Sequence, residues 1–256
     1  MDKIKNTKNE EVEAFKETIR KTAEELVFVK FPQRVINLDR MLVGEKLSAK
    51  LISVHQSLNI PVPDVDSNHA GKSEHLESGA SSAKKRNFGE CPAHPDSQTG
   101  TKVLVLPNGV VPSNKFIIDL IDEVKPLIRE LVEDANMLKM WLLFLIPRIE
   151  DGNNFGVSIQ EDVLGEIRTS EGEAAAYFDQ ISRYFQTRGK TVAKVAKYPH
   201  IDDFRRTIRE IDEKEFLSLR LIVAELRNHY ATLHDMISKN LDKIRKPRSS
   251  NNEHMF

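Results

Sequence analysis

The side chains best suited to chemistry in this chain are its histidines and its single cysteine, because they bind metal ions and act as bases or nucleophiles. Cys91 and His94 have the spacing of a ligand pair, with His69 and His75 upstream. A structural zinc site needs a second close pair in an ordered frame, and the sequence offers none. We therefore expect no metal site, and a single cysteine excludes an intramolecular disulfide.

Other catalytic signatures are missing. His229 and His234 lie five residues apart on a predicted helix, so they fall on different faces and do not form an i,i+4 ligand pair. We interpret each as a surface or interfacial histidine, and the carboxylates as lying along solvated faces. The sequence has no glycine-rich phosphate loop, His-Glu-x-x-His or Gly-x-Ser-x-Gly motif. These observations argue against an enzyme and against a cofactor.

One short stretch between two apolar-periodic segments is rich in turn-forming residues. Pro147 ends the helix before it, and the stretch contains two glycines and an Asx pair that favour tight turns. Ser158-Ile159-Gln160-Glu161 indicates a capping box that starts the next helix. Loops held rigidly between helices often carry function, and a plain helical connection is the alternative. The predicted loop consists of Arg148, Ile149, Glu150, Asp151, Gly152, Asn153, Asn154, Phe155, Gly156 and Val157.

The composition favours long helices with wide solvated faces. Of the 256 residues, 39% are hydrophobic and 30% charged, with Leu, Ile, Glu and Lys at helical spacing. The formal net charge of −1 argues against a nucleic-acid binder, which normally has a basic excess. The longest apolar run, Trp141 to Ile146, is too short to cross a membrane, and no secretory signal is visible. We expect a soluble intracellular protein with neither nucleic acid nor membrane as a partner.

Apolar residues recur at intervals of three and four in four long segments. The first covers about residues 10 to 41, with a kink or break expected near Phe31 because Pro32 lies inside it. The others run from Asn114 to Leu145, from Ser158 to Lys197 and from Ile201 to Ile244. The pattern predicts an all-α, elongated four-helix bundle, and its wide flanks favour lateral self-association.

Two parts of the chain lack this period. Residues 63–100 are rich in Ser, Gly, Asn, His and Pro, which predicts a mobile linker. Its basic cluster, Lys84-Lys85-Arg86, is either solvated charge or a nuclear-import signal. Residues 246–256 form a tail ending in Met255 and Phe256, which is either inert or a docking peptide. The predicted divisions are a helix-one region (1–62), the linker (63–100), the rest of the same bundle (101–245) and the tail (246–256).

Several runs resemble the ATP-independent proteasome activators, a family of heptameric caps of alpha, beta and gamma types. Ile146 to Gln160 is similar to the activation loop of the family, and four further runs match in the same order along nearly the whole chain. These are Leu58 to Pro63, Pro107 to Gly109, Lys194 to His200 and Leu233 to Ile237. The basic cluster and Pro247 to Asn251 make the chain most similar to the gamma type. Phe256 departs from the Tyr with which relatives commonly end.

The resemblance implies a homoheptameric ring that caps the proteasome core particle and opens its gate without ATP or ubiquitin, admitting peptides and some unstructured proteins. It implies that the tail residues His254, Met255 and Phe256 dock between alpha subunits of the core. It implies that Asn153 and Asn154 act on the gate, that the protein has no catalysis of its own, and that its location is nuclear, with the cytoplasm as the alternative. From the residues alone, a helical adaptor binding another oligomer through its loop and tail is the alternative function.

Overall fold

The computed structural model describes residues 2–63, 109–148, 150 and 154–248, and this part of the chain is helical with no strand. The helices are α1 (Asp2–Glu25), α2 (Phe31–Val43), α3 (Lys115–Leu145), α4 (Phe155–Lys197) and α5 (Asp202–Arg245), with a π-helical turn at Leu26–Lys30 and a 3₁₀ turn at Leu51–Val54. The π-helical turn joins α1 and α2 into one rod, so four rods pack together. The predicted all-α four-helix bundle is confirmed.

Several predicted segments lie outside the described residues. They include the linker beyond Pro63, the basic cluster Lys84-Lys85-Arg86, and the tail residues His254, Met255 and Phe256. The predicted divisions of the chain therefore remain predictions.

The hairpin of α4 and α5 sets the height of the bundle. These helices contain 43 and 44 residues, which correspond to about 65 Å at 1.5 Å per residue. Their apolar stripes pack with α3 and the first rod into one core, in which Phe31, Trp141 and Tyr230 are among the largest buried side chains. The α4–α5 turn closes one end of the hairpin. At the other end, the start of α4 meets the ends of α3 and α5.

The first rod contains the distortion expected near Phe31, as a widened turn and not as a break. The Phe31 N–H donates to the carbonyl of Leu26, five residues earlier, and Pro32 lies in the first turn of α2. Proline has no N–H, and its ring clashes with the carbonyl four residues before it. A π-helical turn at this point accommodates the proline while the helix continues.

The helix starts agree with the sequence at α3 and differ at α4. Asn114 caps α3, because its Oδ1 accepts a hydrogen bond from the Ile117 N–H at 3.3 Å. The capping box at Ser158 is wrong. α4 already begins at Phe155, and the Ser158 N–H donates to the Asn154 carbonyl at 2.9 Å inside the first turn. The last three residues of the predicted loop, 155–157, therefore belong to α4.

A buried polar cluster joins the start of α3 to α4 and α5. The prediction that the carboxylates lie along solvated faces is therefore wrong for Asp212. Asp212 is 1% exposed and accepts hydrogen bonds from Arg188 Nε (2.8 Å), the Tyr184 hydroxyl (2.9 Å) and Asn114 Nδ2 (2.8 Å). Burial, reinforced by the Asp212 charge, raises the pKa of Tyr184, so the phenol stays protonated as a donor. Two neutral donors, the Tyr184 hydroxyl and the Asn114 amide, thus supplement the buried ion pair at its carboxylate.

His229 is buried at the packing surface between α4 and α5. Its Nδ1 lies 3.1 Å from the Ser170 hydroxyl, and its Nε2 lies 3.2 Å from a Glu173 carboxylate oxygen. These contacts assign His229 to packing within the bundle.

Candidate functional site

The predicted loop, the start of α4 and the segment after α5 meet at one end of the bundle, which we call the loop end. Six residues of the predicted site are described there, Arg148, Glu150, Asn154, Phe155, Gly156 and Val157. The other four, Ile149, Asp151, Gly152 and Asn153, lie outside the described residues. The described six are accompanied by three residues that sequence reasoning did not assign to the site, namely Gln160, Pro247 and Arg248.

Gln160 joins three helix ends. Its side chain is completely buried, and its Nε2 donates to the carbonyl of Leu145 in α3 (3.1 Å) and to that of Ile244 in α5 (2.7 Å). Carbonyls in the last turn of a helix have no partner within the helix, so this amide satisfies two helix ends from a third helix. A polar residue in the apolar stripe of α4, one turn before Val163, is the sequence signal that could have identified it.

Gly156 allows the backbone after α5 to approach α4 closely. A Cβ atom at this position would lie 2.0 Å from the carbonyl oxygen of Pro247 and 2.6 Å from its Cα. Real Cβ atoms are not found so close to other heavy atoms. Glycine is therefore required here by the space available, and not by a left-handed backbone conformation.

Arg248 forms a bridge between the segment after α5 and the loop. Its Nη1 lies 2.8 Å from Glu150 Oε2, and its Nη2 donates to Asn154 Oδ1 at 3.3 Å. The Asn154 side chain also donates to the Glu150 carbonyl (3.4 Å), while Arg148 Nε pairs with the other Glu150 carboxylate oxygen (2.5 Å). One guanidinium thus contacts both ends of the stretch 150–154.

The loop end presents three exposed side chains of different chemical type. The Arg148 side chain is 87% exposed, Phe155 is 73% exposed, and Asn154 is exposed as well. These side chains offer a cation, an aromatic ring and an amide to a partner surface. Such a surface can recognise a partner by hydrogen bonding, charge and packing.

Neither a metal site nor a membrane span emerges where the structure describes the chain. The described residues contain no cluster of three or more His, Cys, Asp or Glu side chains placed to hold a metal ion. Cys91 and His94 lie outside the described residues. Of the helices described here, none combines the length and apolar character needed to traverse a bilayer.

Models of one protein family match both parts of the chain. "Proteasome activator PA28, N-terminal" matches residues 6–65, and "Proteasome activator PA28, C-terminal" matches residues 110–254. The chain is also 51% identical over 249 residues to Proteasome activator complex subunit 3 of Homo sapiens and to that of Gallus gallus. Each alignment covers 96% of this chain and 94% of the relative.

Two solved structures share the fold of this chain. The 11S subunit of the Plasmodium falciparum proteasome, PA28, superposes with a TM-score of 0.71 at 29% identity, over 95% of both chains. A PA26 complex with an archaeabacterial 20S proteasome matches with a TM-score of 0.53 at 18% identity, over 57% of this chain and 73% of that one. The second likeness is one of fold alone. The extent of the family match and the identity to relatives leave one conclusion: this chain belongs to the PA28 family of proteasome activators.

Proposed function

We propose that this protein caps the proteasome core particle as a homoheptameric ring and opens its gate without ATP or ubiquitin. Opening the gate stimulates hydrolysis of peptides and some unstructured proteins by the core, and the cap has no catalytic activity of its own. The observation that carries the proposal is the shared position of the exposed loop and the origin of the tail at the loop end. Both parts can therefore engage the same face of one partner.

The tail supplies affinity. Eight residues follow Arg248, a length that spans at most about 28 Å when extended. Met255, Phe256 and the terminal carboxylate then fill pockets between alpha subunits of the core, with His254 beside them. A single short peptide binds weakly, but several tails on one ring raise the effective concentration, so that avidity exceeds the affinity of one tail by about 10² to 10⁴.

The loop supplies activation. It shifts the gate towards the open arrangement only if it binds the open gate better than the closed gate, because equal affinity for both changes nothing. Asn153 and Asn154 make this contact, with Arg148 and Phe155 beside them. The contacts of Asn154 with Glu150 and Arg248 support the assignment, since a side chain that is already held loses little freedom on binding.

The flanks of the bundle supply the ring contacts. Contiguous exposed apolar surface in a soluble protein commonly marks an interaction site, and a heterologous interface closes into a ring when its rotation closes. Large apolar side chains that are exposed on the first rod and α5 are Val12, Phe15, Phe28, Val29, Ile36, Val43, Leu217 and Leu221. The native mass of the assembly tests the subunit number, and a monomer would refute the ring.

The loop assignment is tested with Asn154→Tyr and, separately, Asn153→Tyr. We expect each variant to bind the core as the parent does but to lose stimulation of fluorogenic-peptide hydrolysis, because a bulky ring replaces the small amide at the gate. Binding and stimulation are measured on the same preparations with and without core particle. Full stimulation by both variants would refute the role of the loop, and turnover without core particle would refute the absence of catalysis.

The tail assignment is tested by deleting Met255 and Phe256. We expect co-sedimentation with the core to weaken while the ring stays assembled. Unchanged co-sedimentation would contradict the docking role of the tail. A pull-down that recovers no proteasome subunits with the full chain would favour the adaptor alternative.

The basic cluster is proposed to direct the protein to the nucleus. Replacing Lys84, Lys85 and Arg86 by alanine in a fluorescent fusion should move the signal to the cytoplasm. A triple variant that remains nuclear would show that the cluster has no such role.

A further inference from the structure

The origin of the tail lies against the bundle at three points. Gln160 donates to the Ile244 carbonyl in the last turn of α5 (2.7 Å), and the absence of a side chain at Gly156 lets Pro247 lie against the start of α4. Arg248 then pairs with Glu150 at 2.8 Å and contacts Asn154 at 3.3 Å. The chain after α5 therefore leaves the bundle in a direction set by residues of the loop and α4.

The geometry of the Arg248 contacts suits a side chain that positions the loop. The guanidinium is planar and presents its N–H donors in a rigid fork, and here two of its nitrogens contact two different loop residues. The side chain of Arg248 is 22% exposed and that of Glu150 is 44% exposed, so water weakens this pair only in part. Glu150 and Asn154 also bond to each other, which closes a small network of three residues.

We propose that Arg248 is a positioning residue that transmits the placement of the docked tail to the activation loop. This inference rests on the proposed function. When Met255 and Phe256 are seated on the core, the six residues between Arg248 and Met255 limit how far the origin of the tail can lie from the core surface. Because Arg248 connects that origin to both ends of the stretch 150–154, tail binding also sets where the loop meets the gate. The loop then needs no independent affinity for the core to reach the correct position.

If Arg248 positions the loop, its loss should lower stimulation of the core particle without lowering affinity for it. Loss of the Arg248 contacts leaves Met255, Phe256 and the terminal carboxylate unchanged, so the core is still bound. The loop then samples more positions, and the fraction of time in which it favours the open gate falls. For a partly exposed pair with two hydrogen bonds, we expect maximal stimulation to fall about fivefold.

The test compares Arg248→Gln with Arg245→Gln as a matched control. Arg245 lies three residues earlier, and its Nη2 pairs with Glu24 of α1 (2.8 Å) instead of the loop, so both variants remove one positive charge near the tail. Stimulation of peptide hydrolysis is titrated against core particle to give a half-saturation concentration and a maximum. We expect Arg248→Gln to keep the half-saturation within about twofold and to lower the maximum about fivefold, and Arg245→Gln to change neither.

Arg248→Lys provides the rescue measurement. Lysine keeps the charge near Glu150, but its single ammonium group does not reproduce the fork, so we expect a maximum between those of the parent and Arg248→Gln. An Arg248→Gln maximum equal to that of Arg245→Gln would overturn the proposal. So would an Arg248→Gln variant that loses affinity while keeping the full maximum.

Amide hydrogen exchange of the free ring separates this inference from the proposed function. We expect Arg248→Gln, but not Arg245→Gln, to speed exchange in the segment 149–155, because the network that restrains it is lost. Equal exchange in both variants would overturn the proposal. If exchange responds as expected but the parent protein does not stimulate the core, the proposed function fails although the restraint on the loop is real.

Discussion

Gly156→Ala tests whether the close approach of the Pro247 backbone to the start of α4 is needed for stability and for positioning the loop. The new Cβ would lie 2.0 Å from the Pro247 carbonyl oxygen, and ordinary contact begins at 3.4 Å, so the two backbones must separate by about 1.4 Å. Overpacking of this kind costs about 1–3 kcal/mol. The higher helix propensity of alanine offsets at most about 1 kcal/mol, so the net loss after the full offset reaches about 2 kcal/mol at the upper end of the range.

We expect this loss to appear at the loop end and not in the core. Arg248 follows Pro247 directly, so a displaced Pro247 draws the guanidinium away from Glu150 and Asn154. Maximal stimulation of core peptide hydrolysis should then fall about fivefold or more, with a smaller change in the half-saturation concentration. Amide exchange in the segment 149–155 should also become faster.

Gly165→Ala is the control, because it lies in the same helix with no atom within 4 Å of the added Cβ. It gains helix propensity without a clash, so its melting temperature should equal or exceed that of the parent, and its stimulation should be unchanged. The assays are thermal unfolding, titration of stimulation and exchange on both variants. If Gly156→Ala stimulates the core as strongly as Gly165→Ala, the close approach does not position the loop.

Two further predictions concern the buried polar groups. Asp212→Ala leaves Arg188 buried without its counter-charge and should lower the free energy of unfolding in urea by about 3–5 kcal/mol. Asp235→Ala, which removes an exposed pair with Lys239, should cost less than about 1 kcal/mol, and similar losses in the two variants would contradict the buried pairing. Burial raises the pKa of Glu215 from 4.5 to about 7, so the folded protein holds this proton more tightly than the unfolded chain, and stability falls as pH rises from 4.5 to 7. Glu215→Gln should remove this loss of stability with pH, and its free energy of unfolding at pH 8 should exceed that of the parent by up to about 3 kcal/mol. The measurement is urea unfolding of both proteins at pH 5 and pH 8. An equal change in stability between the two pH values in both proteins would refute the prediction.

The helices were predictable because their signals are local. Apolar residues at intervals of three and four specify a helix with one buried face wherever they occur, and they located α3, α4 and α5. Asn114 could be identified as a cap because its side chain bonds to an amide only three residues later. Pro32 also predicted a distortion of the first rod. Only the structure showed that the helix continues there through a π-helical turn.

The start of α4 was not predictable from local signals. Ser158 and Glu161 have the residue types of a capping box, yet the helix extends three residues further towards its N-terminus. The structure suggests why. Gly156 lies against Pro247, and Gln160 bonds to the ends of α3 and α5, so tertiary contacts hold the first turn in place.

The buried charges were missed for a related reason. A carboxylate in a charge-rich segment is usually solvated, and nothing in the local sequence distinguishes Asp212 from its exposed neighbours. Its partners Arg188 and Tyr184 are 24 and 28 residues away, and Asn114 is 98 residues away. Only the packing of α4 and α5 against the start of α3 brings them together.

Arg248 combines both difficulties, because it lies just after a helix and its partner Glu150 is 98 residues away. Sequence reasoning treated the loop and the tail as separate parts, one for activation and one for affinity. The contacts of Arg248, Pro247 and Gly156 place the origin of the tail against the loop itself. A tail that only tethered the ring would leave the loop to find the gate by its own contacts. A tail that also orients the loop lets the affinity of several tails act on the gate, which is how avidity in one part can become activation in another.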